Sequence, residues 1–429
     1  MVNDLLRRDL KHIWHPCSQM KDYADGILPL IAIERGDGAY LIDVEGRRYL
    51  DAVSSWWVNL LGHNNPRIVR AVQEQTAALE QVIFAGFTHI PAITLAERIT
   101  GIAPKGLNKV FFAGDGSSAV EVAIKMAFHA KLNRGQNRPL VVSLQNSYHG
   151  ETLGALAAGD VDMYKKIYAP LLFHTVQAKS PALCGGAEAI EDMRAVLEAN
   201  AGRICAVIVE PLVQCAGAMA MYDPDYLGAL RSLCNEFDVY LIADEIAVGF
   251  GRTGTMFACD QAGIAPDLMT LSKGLTGGFL PLSLTLATED IYAAFYDDYL
   301  KERSFLHSHS YTGNAIACAA ANATIEQLTE GKILLENGAK IEALKNGLAK
   351  IAAIGRVKET RQRGMIAAFD VMGFEREARI GVRIAREALK NEIVLRPLGN
   401  TVYFMPPFAI TVGEIERLCE TTARIVEEL

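Results

Sequence analysis

The sequence predicts an α/β fold: a mostly parallel sheet covered by helices, with a smaller α+β domain at the C-terminus. From about residue 109 onward, short runs of branched apolar residues alternate with segments of helical periodicity. Each run is too short for a typical helix and apolar on both faces, as strands buried between two helical layers should be. Half of the 429 residues are hydrophobic and 21% are charged, a balance that excludes intrinsic disorder.

The elements follow in chain order. Residues 28–53 are typical of a small meander, with a turn at Asp43–Gly46. The predicted sheet strands are KVFFA at 109–113, PLVVSL at 139–144, CAVIV at 205–209, VYLIA at 239–243, DLMTLS at 267–272 and LSLTLA at 282–287. Between them lies helical periodicity, as in Val120, Ala123, Ile124 and Ala127.

The last hundred residues have a different pattern. The stretch EGKILLENGAKIEALKNGLAKIAA at 330–353 predicts an amphipathic helix, and mixed strands and helices follow it. We therefore expect a large domain at 54–328, a small domain at 329–429, and an N-terminal segment at 1–53 that contributes to the small domain.

Composition restricts the class of protein. The formal net charge is −8, so no basic surplus exists to meet the phosphates of a nucleic acid. The eight cysteines form no C-x-x-C pair, which fits a reducing compartment. The N-terminus has no continuous apolar stretch typical of a signal peptide, and no run approaches the roughly 18 residues of a membrane span. We expect a soluble cytoplasmic protein.

An anion site is indicated at 114–127, where GDGSSAVEVAIKMA follows the first predicted sheet strand. Asp115 can cap the helix, while Gly116 and Ser117 would present backbone N–H groups and a hydroxyl at its positive end. This arrangement suits a phosphate. A plain capped helix is the alternative, because the pattern is neither a Walker A sequence nor a dinucleotide fingerprint.

Two further residues stand at predicted strand ends. Asp244 and Glu245 close one strand, at the edge where open α/β sheets bind ligands; metal or turn chemistry is the alternative. Lys273 closes another, in SKGLTGG. A buried ammonium is costly, so this lysine can lose its proton and act as an amine nucleophile, unless it simply emerges at the surface.

Together these parts predict pyridoxal 5'-phosphate as the cofactor, because it requires a phosphate cradle, a carboxylate for the pyridinium proton and a Schiff-base lysine. The sequence resembles the class III aminotransferases of the fold type I pyridoxal-phosphate enzymes. The motifs that carry this resemblance are, in family order, ADEIAVGFGRTG, the run up to SKGLTGG, and HSHSYTGNAIACAAA. The resemblance implies a seven-stranded, mostly parallel sheet, transamination as the activity, and a homodimer.

Within the family, further motifs are similar to the members of biotin biosynthesis: HIWHP, SSWW at 54–57, NSYHGET, IVEPLVQ and RPLGNTVYFMPP. They imply transamination of 8-amino-7-oxononanoate to 7,8-diaminononanoate, with S-adenosylmethionine or lysine as the amino donor. SSWW is typical of the adenosylmethionine users. The residue after HIWHP, a tyrosine in better-known members, is Cys17 here, so the donor stays open.

The resemblance implies roles at matching positions. Lys273 would hold the cofactor covalently and shuttle protons, Asp244 would keep the pyridine nitrogen protonated, and Tyr148 would stack on the ring and take part in catalysis. Ser310, where the familiar pattern has threonine, lies in the loop that reaches the neighbouring subunit's phosphate. The implied cofactor-binding set is Gly116, Ser117, Tyr148, Asp244, Lys273, His309 and Ser310.

For the substrate, Trp56 and Trp57 would line an apolar channel, although adjacent tryptophans are more often core residues. Arg396 would clamp the carboxylate with its planar fork. The implied substrate-binding set is Cys17, Trp56, Trp57, Tyr148, Lys273, Ser308, Arg396 and Tyr403. Arg252 and Gln214 are expected in the wall of the site.

Three alternatives accompany this interpretation. The chain resembles other class III enzymes too, namely ω-amino acid or diamine aminotransferases and semialdehyde aminomutases. A non-catalytic pyridoxal-phosphate-binding regulator is a second class, but such proteins carry a DNA-binding extension for which this chain has neither length nor charge. Metal chemistry at His149, His307 and His309 is not expected, because the H-x-H pair has no third ligand nearby in the sequence.

Overall fold

The computed structural model describes residues 2–429, apart from the side chain of residue 3. The chain divides into two compact units. The terminal unit comprises the residues up to Asn65 together with Asn337–Leu429, and the central unit comprises Pro66–Glu336. The domain limits expected from the sequence, 1–53, 54–328 and 329–429, stay a prediction.

Strands and helices alternate along most of the chain. The strands are β1 (Ile33–Asp37), β2 (Tyr40–Asp43), β3 (Arg48–Asp51), β4 (Leu107–Ala113), β5 (Leu140–Leu144), β6 (Val176–Ala178), β7 (Ile204–Val209), β8 (Val213–Gln214), β9 (Ala220–Met221), β10 (Tyr240–Asp244), β11 (Leu268–Leu271), β12 (Ser283–Thr288), β13 (Val357–Arg363), β14 (Ile366–Val371), β15 (Ile393–Val394) and β16 (Thr401–Phe404). The helices are α1 (Val2–His12), α2 (Met20–Ala24), α3 (Ser54–Trp57), α4 (Pro66–Ala78), α5 (Ile90–Ile102), α6 (Gly116–Asn133), α7 (Leu153–Ala158), α8 (Asp162–Lys165), α9 (Pro181–Cys184), α10 (Gly186–Ala199), α11 (Pro224–Glu236), α12 (Glu289–Ala293), α13 (Ala315–Glu330), α14 (Ile333–Ala352), α15 (Ile380–Lys390) and α16 (Val412–Glu427). Short 3-10 helices lie at Lys166–Leu171, Ala258–Ala262, Lys273–Thr276, Tyr299–Lys301 and Arg376–Ala378.

The central unit is built on a sheet that, within residues 2–429, has seven strands in the order β4-β12-β11-β10-β7-β5-β6. All six predicted sheet strands are confirmed, and every residue of β5, β7, β10 and β11 is buried. The edge strand β6 was not predicted, because three residues carry too little pattern. The neighbours β11, β10, β7, β5 and β6 pair in parallel.

Strand β12 is the exception, since it runs antiparallel to both β11 and β4. Only Ser272–Leu282 separate β11 from β12. A parallel crossover needs roughly a dozen residues or more, usually a helix, so this short return forces an antiparallel pair. The short-run pattern predicted burial correctly but did not predict strand direction.

Helix α6 packs on this sheet with the face that the sequence predicts. Val120, Ala123, Ile124 and Ala127 are all buried, and they share a hydrophobic cluster with residues of the strands. The helix begins at Gly116 because the Asp115 side chain accepts a hydrogen bond from the Ser118 N–H at 2.9 Å. The predicted N-terminal cap is therefore confirmed, and it fixes where the helix presents its positive end.

The terminal unit contains two small sheets. One has the order β1-β2-β3-β15 and includes the predicted meander, whose turn is closed by a 2.9 Å bond from the Gly46 N–H to the Asp43 carbonyl. Its β3 and β15 pair in parallel, with Asp51 opposite Val394. The other sheet, β13-β14-β16, is antiparallel. Helix α14 confirms the helix predicted at 330–353.

The structure also bears on thiols, metals and membranes. All eight cysteines are free thiols. Across the described residues, no three His, Cys, Asp or Glu side chains are grouped so as to hold a metal ion. None of the described helices is both long enough and apolar enough to cross a membrane.

Candidate active site

Asp244 lies at the carboxyl end of β10 and is almost completely buried. Its Oδ2 lies 2.8 Å from Nδ1 of His149, and its Oδ1 accepts 3.2 Å bonds from the Thr270 hydroxyl and the Ile246 N–H. Three donors on one buried carboxyl group fix its direction. The structure therefore holds a carboxyl group in a set orientation at the end of a central strand.

His149 is the buried partner of Asp244. Its ring is buried, and its Nδ1 lies 2.8 Å from Oδ2 of Asp244. In this pair the ring donates from Nδ1 and the carboxyl oxygen accepts. The sequence analysis considered His149 only as a metal ligand, rejected that role, and did not indicate this one.

A signal for His149 was present in the topology. It follows β5, and the strands β5, β7 and β10 are parallel neighbours. Loops that leave the carboxyl ends of parallel neighbours meet at one edge of the sheet. A histidine in such a loop is thus a candidate partner for a carboxylate at that edge.

Lys273 lies two residues beyond the end of β11, which is the parallel neighbour of β10. The register of these two strands places Asp244 opposite Thr270. Burial lowers the pKa of Lys273 below its usual value, and the negative charge of Asp244 opposes that shift in part. Its φ of 47° is in the left-handed region, which a side chain with a Cβ rarely adopts. The structure thus brings Lys273 and Asp244 together, as the sequence predicts, and favours the amine form that a nucleophile needs.

The start of α6 forms a cradle for an anion. Because Asp115 takes the Ser118 N–H, the amides of Gly116 and Ser117 lie at the open positive end of the helix. The Ser117 hydroxyl accepts a 3.0 Å bond from the Thr152 N–H, which connects the cradle to the loop after β5. A Cβ on Gly116 would lie 3.1 Å from the Ile246 side chain, so glycine keeps this corner open.

Glu210, at the end of β7, is a second buried carboxylate that the sequence motifs did not single out. Its two oxygens accept 2.9 Å bonds from the backbone N–H groups of Tyr148 and Cys215. Burial raises the pKa of Glu210 to about 7. It ties together the loops after β5 and β8, so it positions the backbone of Tyr148. The Tyr148 hydroxyl in turn donates to Glu151 at 3.1 Å.

The loop that contains the histidine pair passes beside the cradle. A Cβ on Gly114 would lie 3.5 Å from Cε1 of His309, so this ring lies next to the residues that precede α6. Ser308 and Ser310 are exposed. His307 faces Lys125, with 2.9 Å between Nδ1 and Nζ. The cofactor and substrate roles expected for Ser308, His309 and Ser310 stay predictions.

The two expected wall residues are both buried. Gln214 accepts a 2.5 Å bond from the Ser180 hydroxyl and donates a 2.8 Å bond to the Gln145 carbonyl. These bonds connect β8 to the loops after β5 and β6, which is a structural use of the amide. Arg252 lies in the glycine-rich loop after β10, and its expected role stays a prediction.

The two adjacent tryptophans of the terminal unit have different surroundings. Trp57 is buried and donates its Nε1–H to the Tyr403 hydroxyl at 3.0 Å. Trp56 is 37% exposed, and the Arg396 guanidinium lies 4.4 Å from the centre of its ring, a cation–π geometry. Cys17 is exposed. The structure thus joins Trp56 to Arg396 and Trp57 to Tyr403, while their substrate contacts stay predictions.

These side chains fit pyridoxal 5'-phosphate. A lysine of lowered pKa, a buried carboxylate in register on the next strand, and a glycine-lined helix N-terminus are the groups that its aldehyde, ring nitrogen and phosphate require. When bound, the cofactor supplies an electron sink for a carbanion at the amine carbon. Asp244 would hold the ring nitrogen, Gly116 and Ser117 the phosphate, and Lys273 the carbonyl carbon.

Comparison with known proteins defines the class. The family model of class III aminotransferases matches residues 23–426, and the chain belongs to this family of pyridoxal-phosphate-dependent enzymes. The chain is 42% identical to the adenosylmethionine-8-amino-7-oxononanoate aminotransferase of Helicobacter pylori, over 99% of this chain and 98% of that one.

Solved structures agree. The crystal structure of adenosylmethionine-8-amino-7-oxononanoate aminotransferase from Methanocaldococcus jannaschii superposes with a TM-score of 0.96 at 36% identity, covering 99% of each chain. An (S)-enantioselective omega-transaminase from Thermomicrobium roseum gives a TM-score of 0.94 at 27% identity, over 99% of this chain and 98% of that one. The predicted fold, activity class and cofactor are confirmed.

Proposed function

We propose that this aminotransferase converts 8-amino-7-oxononanoate to 7,8-diaminononanoate in biotin biosynthesis, with S-adenosylmethionine as the amino donor. The observation that carries the proposal is the full-length similarity to relatives named for this substrate and donor. Fold alone does not discriminate, because an omega-transaminase superposes almost as well. Sequence identity does discriminate, because it is 42% with the Helicobacter pylori aminotransferase and 27% with the omega-transaminase.

The geometry of the terminal unit supports an acceptor of this kind. An apolar chain that ends in a carboxylate needs an apolar face and a fixed cation beside it. Trp56 and Arg396 offer that combination, because the indole holds the guanidinium 4.4 Å from its centre. The planar guanidinium can bind a carboxylate with two parallel hydrogen bonds.

The central unit supports the chemistry of transamination. Lys273 can accept and return a proton because burial lowers its pKa, so its neutral form is more populated than in water. Asp244 keeps its direction because His149 and Thr270 both donate to it. Glu210 holds the Tyr148 backbone in place through a 2.9 Å bond.

The donor can be decided by experiment. The cofactor-loaded enzyme is mixed with 8-amino-7-oxononanoate and either S-adenosylmethionine or lysine, and the diamine product is quantified by mass spectrometry. We expect product with S-adenosylmethionine, because a relative that is 42% identical over 99% of this chain is named for this donor. Product with lysine alone would contradict the donor, and product with neither would contradict the proposed reaction.

Cys17→Tyr sharpens the same experiment. It restores the tyrosine of better-known members at an exposed position, so it should not disturb the core. If S-adenosylmethionine is used without a tyrosine at position 17, the rate with this donor changes little in the variant. A large gain with this donor would mean that Cys17 limits its use in the native enzyme.

We further propose that the enzyme is a cytoplasmic homodimer. Large apolar side chains surround the loop that carries Ser310 and are more than half exposed: Ile83, Phe87, Ile90, Leu306 and Tyr311. Gln81 and His89 connect this surface to the loop by bonds to the carbonyls of Ser310 and Gly313. An apolar surface of this kind fits a second copy of the chain, related by a twofold axis.

Two measurements test the dimer. Light scattering should give twice the chain mass, and an active monomer would contradict the proposal. Ser310→Ala should weaken cofactor retention by about 1.5–3 kcal/mol, the range for a hydrogen bond to a charged group. Retention equal to that of the native enzyme would show that this hydroxyl does not reach a phosphate.

A further inference from the structure

The terminal unit contains an unusual backbone segment beside Arg396. Four consecutive residues with side chains have left-handed φ angles: Ser54 at 50°, Ser55 at 45°, Trp56 at 72° and Trp57 at 71°. They form one left-handed helical turn, closed by a 2.8 Å bond from the Trp57 N–H to the Val53 carbonyl. L-residues disfavour this conformation, so other contacts must maintain it.

Asp51 is the centre of those contacts. It is the last residue of β3 and completely buried. Its Oδ1 accepts the Val53 N–H at 3.2 Å, just before the turn. Its Oδ2 accepts the Ser55 hydroxyl at 2.8 Å, inside the turn, and lies 2.9 Å from Nε2 of His63.

The protonation of His63 follows from its neighbours. The Asn59 side-chain oxygen accepts the Gly62 N–H, so its amide nitrogen is the group that donates to His63 Nδ1, at 3.0 Å. That leaves the ring proton on Nε2, where it points to Asp51. Three donors therefore converge on one buried carboxylate, and these bonds lower the pKa of Asp51.

The sheet places Arg396 at the same edge as this turn. Strand β3 pairs in parallel with β15, with Asp51 opposite Val394. Both chains leave the sheet in the same direction, one into the left-handed turn and the other toward Arg396 two residues later. Trp56 and Arg396 meet there at 4.4 Å. The Ser54 hydroxyl also donates to the Met405 carbonyl at 2.7 Å, which fixes the start of the turn.

We propose that Asp51 is a positioning residue for substrate recognition: it holds the left-handed turn so that the Trp56 ring orients the Arg396 guanidinium for a carboxylate. This inference rests on the proposed function, because it assigns Arg396 to the acceptor carboxylate. It adds a residue that touches neither substrate nor cofactor. Without the buried carboxylate, the turn relaxes, Trp56 moves, and Arg396 loses its preorganised direction.

The test compares Asp51→Asn with Asp43→Asn. Asp43 is a matched control, because it is also a buried aspartate of the same sheet. Its Oδ1 accepts 2.9 Å bonds from two backbone N–H groups, and its Oδ2 accepts a 2.7 Å bond from Nε of Arg47. It does not contact the left-handed turn. Michaelis constants for 8-amino-7-oxononanoate and for the donor are measured with cofactor-loaded enzyme, and near-ultraviolet circular dichroism follows the tryptophans.

We expect Asp51→Asn to raise the KM for the acceptor about tenfold, with kcat and the donor KM changed less than about twofold. The Trp56 contribution to the dichroism, obtained by subtraction of a Trp56→Phe spectrum, should disappear as well. Asp43→Asn should leave both unchanged. Equal effects of the two variants on the acceptor KM and on the spectrum would overturn the proposal.

Ser55→Ala keeps the inference testable if Asp51→Asn does not fold. It removes one hydroxyl from the same carboxylate and should raise the acceptor KM about threefold, with a weaker Trp56 signal. An unchanged KM and spectrum would also overturn the proposal. The dichroism separates this inference from the proposed function: if even the native enzyme does not use 8-amino-7-oxononanoate, the Trp56 signal still shows whether Asp51 holds the turn.

Discussion

The backbone positions the candidate catalytic residues of the central unit and the Arg396 region of the terminal unit in different ways. Asp244 is the last residue of a regular, buried strand, and Lys273 follows the parallel neighbour of that strand by two residues, with one left-handed φ of 47°. Trp56 stands on a left-handed turn that four side-chain and backbone bonds must hold. At roughly 1–2 kcal/mol per residue, that turn stores several kcal/mol of strain. Regular strands and one left-handed residue thus position Asp244 and Lys273, whereas a turn of four left-handed residues positions Trp56.

The buried carboxylates of the two regions also differ in the direction of their pKa shifts. Burial raises the pKa of Glu245 to about 7, as it does for Glu210, because backbone N–H donors offset only part of the desolvation. Burial would raise the pKa of Asp51 too, but hydrogen bonds from His63 and from both the backbone and the hydroxyl of Ser55 outweigh it, so this pKa is lowered. The contributions of Glu245 and Asp51 to stability should therefore depend on pH with opposite signs.

The largest expected effect is at Lys273. Lys273→Ala removes both the nucleophile and the proton carrier, so turnover should fall by roughly ten-thousandfold or more. Steady-state rates with saturating substrates measure it. Lys131→Met is the control, because Lys131 is another buried lysine of the central unit, bound to Asp238 at 2.7 Å. Near-native turnover of Lys273→Ala would refute the assignment of the whole site.

Asp244→Asn should have the next largest effect. It keeps the shape but removes the charge that stabilises a protonated ring nitrogen, so kcat should fall roughly a hundredfold to ten-thousandfold while the cofactor stays bound. Asp267→Asn is the control at the opposite end of the strands, where Asp267 accepts from Arg231 at 2.6 Å. A similar loss of kcat in both variants would mean that the effect is structural.

Arg396→Ala examines the other region. It should raise the KM for the keto acid roughly ten- to a hundredfold, because a charged hydrogen-bonding partner of the carboxylate is lost. The KM for the donor should change far less. The matched control, Arg361→Ala, removes an arginine of the same unit that pairs with Asp370 at 3.1 Å. A proportional rise for both substrates in Arg396→Ala would remove the distinction between the two regions.

The smallest effect concerns pH. The folded state keeps the Glu245 proton from its ordinary pKa of 4.5 up to about 7, whereas the unfolded state releases it. Stability from this group is therefore lost as pH rises through that window, by about 1.4 kcal/mol per pH unit. Glu245→Gln should make this decline shallower in urea midpoints measured between pH ~5 and ~7, while the share of Glu210, whose pKa is also raised to about 7, should persist.

Asp51 should behave in the opposite way. Its contribution is present above the ordinary aspartate pKa of 3.8 and is lost as pH falls through its lowered folded pKa. Asp51→Asn should thus leave the decline between pH ~5 and ~7 intact. If Asp51→Asn flattened that decline and Glu245→Gln did not, the two carboxylates would have been assigned the wrong signs.

The sequence predicted the central unit well because its information is local. Branched apolar runs mark buried strands, and a polar residue after such a run marks the ligand edge, as at Asp244 and Lys273. Strand direction is not local, so β12 was predicted as a strand but its antiparallel direction was not. His149 and Glu210 were missed because their partners lie on other strands, 95 and 62 residues away in the chain.

The terminal unit was harder to predict for a physical reason. SSWW has no glycine, so nothing in it indicates a left-handed turn. That turn exists because Asp51, His63 and Met405 hold it, and only the folded chain brings them together. The residue types at positions 56 and 396 still suggested their roles. The sequence could not predict that Trp57 is buried while Trp56 is 37% exposed.

The most direct measurement of the central claim is to find which lysine holds the cofactor. The native enzyme is loaded with pyridoxal 5'-phosphate, reduced with borohydride, digested, and mapped by mass spectrometry. Lys273 is expected to carry the reduced cofactor, because it is the lysine of lowered pKa beside the Asp244 carboxylate. Modification of a different lysine, with the Lys273 peptide unmodified, would contradict the account.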